Sequence, residues 1–122
     1  MRENRRRFMQ KEFPTAVQID MIRYEIKMSE EPVLLDGREC GGLIEYNNAR
    51  ILLSAKAIRG ERVKQVLMHE IVHGLLHERQ IEELVNDDRL EDFVDALSRA
   101  LVGFLRDNPK MIDLYTAEST SA

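Results

Sequence analysis

The run from Val63 to Arg79 constrains this chain more than any other stretch. It is apolar at Val63, Val66, Leu67, Met68, Ile71, Val72, Leu75 and Leu76, yet it carries His69-Glu70-Ile71-Val72-His73. At about 3.6 residues per turn these apolar positions cover nearly the whole circumference, so a helix from about Glu61 to Arg79 is expected to lie buried. Positions i and i+4 stand about 40° apart around the axis, which turns both imidazoles the same way. Two imidazoles so placed can hold one zinc ion, and Glu70 can reach a water beside it. Chance competes with this reading, since a shuffled chain of the same composition yields HExxH roughly one time in a hundred. So does a plain helix whose two histidines are satisfied by backbone. Burial weakens that competitor, because polar groups inside a core need partners and a metal provides one.

Zinc at catalytic sites takes three protein ligands, so a third donor is required. The candidates are His77, the acids Glu82, Glu83, Asp87 and Asp88 of the following linker, and Glu91, Asp92 and Asp95 of the next helix. His77 lies about 12 Å along the axis from His69, too far for one straight helix to close a site with metal–nitrogen bonds near 2 Å. It reads as structural. Glu91 and Asp95 share a helix face and flank an apolar stripe of Leu90, Phe93, Val94, Leu97, Leu101, Phe104 and Leu105. Packing that stripe on the first helix sets both acids beside the histidines. Glu91 is then the expected oxygen ligand, and Asp95 the acceptor for the far nitrogen of a ligand histidine. Asp92 points about 100° away, toward the polar side. The spacing from Asp88 to Glu91 also suits a capping box, which is the competing role for Glu91.

The rest of the chain supplies a sheet. Ile22, Tyr24 and Ile26 alternate with Arg23, Glu25 and Lys27, the pattern of a half-buried strand. Strands are also expected at Gly42 to Tyr46 and at Arg50 to Ser54, joined by an Asn47-Asn48 turn because Asn tolerates positive φ. The expected fold is α+β: a small three-stranded antiparallel sheet on the buried HExxH helix, with a second helix, about Arg89 to Arg106, bearing the third ligand. Residues 1–122 read as one domain. Residues 1–13 form a basic arm, expected to be solvated, and residues 116–122 a disordered tail.

HEIVHGLLH followed by Glu91-x-x-x-Asp95 resembles the gluzincin arrangement, and more closely the ImmA/IrrE family of small bacterial and phage zinc peptidases. The likeness covers roughly residues 43–109. It implies His69, His73 and Glu91 as metal ligands, Glu70 as base, a small antiparallel sheet before the metal helix, and a repressor-like protein as substrate. The chain departs from the family pattern at Asp95, where Asn is common, and at Phe93-Val94, where Glu-Ala is common.

The expected function is therefore a zinc-dependent endopeptidase with one Zn2+ per chain, acting on a protein or peptide. The alternative is a catalytically silent zinc-binding interaction protein of the same fold. Tyr115 is a candidate donor to the oxyanion. The strand Arg50 to Ser54 is a candidate platform for an extended substrate if one of its edges is free; pairing by the first strand or by Val33 to Leu35 would cover that edge. A net charge of −4 argues against nucleic-acid binding. A single cysteine, Cys40, excludes an internal disulfide and suits a reducing compartment. With no apolar run long enough to span a bilayer and no secretory signal, a cytoplasmic protein is expected.

Overall fold

Alternation along Ile22–Ser29 forms the longest strand, β2, and places Tyr24 and Ile26 inside. The computed structural model describes residues 13–56 and 58–118, so the basic arm expected at 1–13 lies outside the described residues except for Phe13. The order is β1 (Ala16–Ile19), β2, β3 (Leu34–Leu35), β4 (Arg38–Glu39), β5 (Gly42–Glu45), β6 (Arg50–Ser54), α1 (Glu61–Glu78), a 3₁₀ turn (Ile81–Leu84), α2 (Asp87–Asp107) and α3 (Pro109–Thr116).

Four strands make one sheet in the order β1-β2-β6-β5, and β3-β4 is a separate hairpin. The expected three-stranded antiparallel sheet is thus corrected in two ways. Ala16–Ile19 adds a strand antiparallel to β2, and β2 pairs with β6 in parallel, Ile26 against Ile51. A parallel pair needs a long crossover, and residues 30–49 supply it by way of the β3-β4 hairpin and β5. The β5–β6 pair is antiparallel, with Ile44 opposite Ile51 and the Arg50 guanidinium paired with Glu45. In its connection the left-handed residue is Ala49, at φ 49°, rather than either asparagine.

Strand β6 is paired on both sides, so the free edge considered for Arg50 to Ser54 does not exist. The edge strands are β1 and β5, and β5 is the one next to β6. On β5, positions 42 and 44 face α1: a Cβ on Gly42 would come within 2.7 Å of Val66 Cγ1, and one on Gly74 within 3.0 Å of Ile44 Cδ1. Strand β5 therefore runs in the same sense as α1.

Helix α1 begins after Gly60, whose φ of 63° suits a residue without a Cβ. It lies between two apolar clusters, which is why its apolar residues surround it. Toward the sheet, Leu67, Ile71 and Leu75 meet Ile19, Tyr24, Ile26, Ile51 and Leu53. Toward α2, Met68, Val72 and Leu76 meet Leu90, Val94, Leu97 and Leu101. Burying each large side chain contributes about 1.5–3 kcal/mol, so these two interfaces set the position of α1 far more firmly than surface pairs do. Phe93 and Phe104, expected in the packed stripe, are 40% and 50% exposed. Residues 109–116 form a short helix with Pro109 in its first turn, where its missing N–H costs nothing. Thr116 belongs to that helix, and residues 119–122 of the expected disordered tail lie outside the described residues. No helix among the described residues is long and apolar enough to cross a membrane.

Candidate metal centre

His69 and His73 project from α1 toward α2 on the side away from the sheet core, one turn apart, with ring centroids separated by 5.0 Å. Packing of Val94 against Val72 and Leu76 brings the first turns of α2 alongside them. Glu91 then reaches both rings. Its Oε1 lies 2.6 Å from His69 Nε2 and its Oε2 lies 3.1 Å from His73 Nε2. The three donors all fall within 4.8 Å of one another, close enough to hold a metal ion. Two imidazole nitrogens and a carboxylate oxygen form a donor set that suits a first-row divalent cation, so the residues present fit the group the sequence implies. Both histidines keep less than a fifth of their side-chain surface, while Glu91 keeps 70% and leaves one side of the site open. Burial holds the His73 imidazole below its ordinary pKa, with the Glu91 carboxylate opposing; the neutral ring is the form that binds metal.

Glu70 is the buried carboxylate of the site, 8% exposed. Desolvation pushes its pKa up to about 7; Glu91 adds to the rise, while His69 and a hydrogen bond from the Ile44 backbone N–H oppose it. Asp95 stands one turn beyond Glu91, with Oδ1 3.7 Å from His69 Nδ1 and Oδ2 3.3 Å from Arg99 Nε. That is ion-pair range rather than a hydrogen bond to the ring. Asp92 is exposed and faces Arg89 at 3.9 Å. Among the linker acids, Glu82 reaches His77 Nδ1 at 3.1 Å, and none joins the donor group. His77 stacks on Tyr46 at 3.8 Å and 13°, outside the donor set.

The donors and Glu70 line a cleft of about 1210 Å³ bounded by β5, α1 and α2. Tyr115, the expected oxyanion donor, sits on α3, is 82% exposed and does not line this cleft. Tyr46 does line it. Its hydroxyl lies 3.5 Å from the His73 carbonyl, and burial helps push its pKa up to about 12, so the phenol stays a proton donor. Sequence reading missed Tyr46 because only the β5–β6 turn carries it over α1. Its alternation with Gly42 and Ile44 on one strand face was the available signal. Comparison with family models, curated proteins and solved structures finds no match to this chain.

Proposed function

We propose that the chain is a zinc-dependent endopeptidase. One observation carries the reading: two imidazoles of one helix converge on a carboxylate of the next, immediately beside the buried carboxylate of Glu70. His69, His73 and Glu91 hold one zinc, which supplies Lewis acidity toward a carbonyl oxygen and a water. Glu70 takes the proton of the attacking water and passes it to the leaving amine. Asp95 orients His69 from the Nδ1 side, and Arg99 holds Asp95 in place.

Strand β5 is the substrate platform, in place of the strand after it. Ser54 N–H donates to the Gly41 carbonyl. Antiparallel alternation then turns Leu43 and Glu45 toward β6, and Gly42 and Ile44 toward the cleft. Of those outward groups the Ile44 N–H is engaged by Glu70 and the Gly42 N–H by Cys40, so an extended peptide pairs by donating its own N–H groups to the Gly42 and Ile44 carbonyls, which holds its backbone in register over the candidate metal donors. The likeness of HEIVHGLLH and Glu91-x-x-x-Asp95 to ImmA/IrrE peptidases supports a repressor-like regulatory protein as the natural substrate and a cytoplasmic setting. The test is incubation of zinc-loaded protein with candidate repressors and an unstructured peptide mixture, with products read by mass spectrometry. Defined internal cuts that vanish on chelation and return with zinc support the reading. Zinc binding with no cut in any substrate favours the silent binding protein.

A further inference from the structure

Seven residues before His69, Arg62 reaches the same cleft from the first turn of α1, and Arg99 reaches it from α2. The two sit toward one end because Gln65, nearly one turn on from Arg62, donates through Nε2 to Oγ of Ser98, the neighbour of Arg99, at 3.1 Å. Among the described residues lining the cleft they are the only arginines, and no lysine is there. Arg99 is shared with Asp95 at 3.3 Å. Arg62 has no side-chain hydrogen bond or ion pair among the described residues, although an exposed Glu39 lines the same cleft. Beside them, Ile58 and Val66 make an apolar floor.

We propose that Arg62 and Arg99 form a carboxylate-recognition subsite at this end of the cleft, selecting substrates with an anion about three residues to the C-terminal side of the cut bond. The inference rests on the peptidase reading above and deepens it. Distance sets the position: seven residues at about 1.5 Å per residue is about 10 Å, the span of roughly three extended residues. Direction follows from the strand. Since β5 runs with α1, a peptide pairing antiparallel to β5 runs from the Tyr46 end toward Arg62, so its C-terminal part arrives at the arginines. The anion can be an acidic side chain or the peptide's own terminal carboxylate. A guanidinium suits either, because its forked N–H groups match both oxygens of a carboxylate.

Four peptides separate these cases. One carries Glu three residues after the cut bond, one carries Gln there, and two end at that residue, with a free carboxylate or an amide. Cleavage by the wild type gives kcat/KM, and binding to the zinc-loaded Glu70→Gln protein gives affinity without turnover. The expected result is a preference of about tenfold or more for Glu over Gln, for the free terminus over the amide, or for both, the typical strength of a charge-assisted pair. Arg62→Gln and Arg99→Gln should each shrink that ratio, the double variant should bring it near one, and Arg62→Lys should restore part of it. Zinc content measured on each variant separates this effect from loss of metal. Cleavage or binding with no discrimination, or a preference that survives the double variant, overturns the subsite alone. Selective binding of the carboxylate peptides with no cleavage supports the subsite and overturns the peptidase reading. Neither binding nor cleavage of any peptide overturns both.

Discussion

His69 and Glu91 meet at 2.6 Å across the contact between α1 and α2, although twenty-two positions separate them in the chain. Nothing local brings them together. The contact depends on Val94 packing against Val72 and Leu76, so the candidate metal donors are set by the apolar interface beneath them.

Metal stoichiometry follows from that geometry. One zinc per chain is expected by elemental analysis after dialysis. His69→Ala and His73→Ala should abolish binding, Glu91→Ala should weaken it strongly, and His77→Ala should leave it unchanged. Zinc lost from the His77 variant and kept by the Glu91 variant would reverse the ligand assignment.

Asp95 should tune affinity without being a ligand. Asp95→Asn removes the charge that faces His69 Nδ1 at 3.7 Å. Outer carboxylates of this kind commonly contribute 10–100-fold, and the longer distance here sets the expected loss at about tenfold. Competition with a fluorescent chelator measures it; an unchanged constant would place Asp95 outside the site.

Metal-free stability should depend on pH through Glu70. Its folded pKa of about 7 exceeds the ordinary 4.5, so the neutral acid is favoured in the fold. That contribution is complete below the unfolded value and is lost as pH rises through the folded one. Glu70→Gln cannot ionise. Without metal it should match the wild type near pH 4 and exceed it near pH 8 by up to about 3 kcal/mol in urea unfolding. A difference that is constant across this range would contradict the burial assigned to Glu70.

Gly74 tests the contact between α1 and the sheet. A Cβ there would approach Ile19 Cδ1 to 2.7 Å and Ile44 Cδ1 to 3.0 Å, and Ile19 is fully buried. Gly74→Ala should therefore destabilise by about 1–3 kcal/mol despite the better helix propensity of alanine. A stabilised variant would show that the interface has slack.

The helices and the pairs of candidate donors on each were legible in the sequence because each pair depends on spacing within one element, whereas the meeting of the two pairs depends on how the helices pack. His69 and His73, like Glu91 and Asp95, are four apart, and the apolar residues around α1 announce that it is covered on two sides. Strand pairing was less legible because it is non-local. Nothing in Ile22 to Lys27 or Arg50 to Ser54 says that they lie parallel, and that relation arises from the path of residues 30–49 between them. Strand β1 escaped notice because it has only four residues, of which Ile19 alone is fully buried. Tyr115 looked available because it is distal and aromatic, whereas Tyr46 reaches the cleft only through the β5–β6 turn.

Backbone pairing with β5 can be tested on the substrate. A set of peptides, each N-methylated at one amide, removes one donor at a time. Cleavage should fall at alternate positions only, since a strand presents every second residue to its neighbour. Uniform tolerance to methylation would remove β5 as the platform.

The most direct measurement is peptide hydrolysis by zinc-loaded wild type and Glu70→Gln side by side, with zinc content and melting temperature taken on the same samples. The expected result is equal zinc, an intact fold and a rate lower in the Gln variant by at least the 10²–10⁴ typical of a lost acid–base group. Equal hydrolysis by the two zinc-loaded proteins would contradict the role given to Glu70.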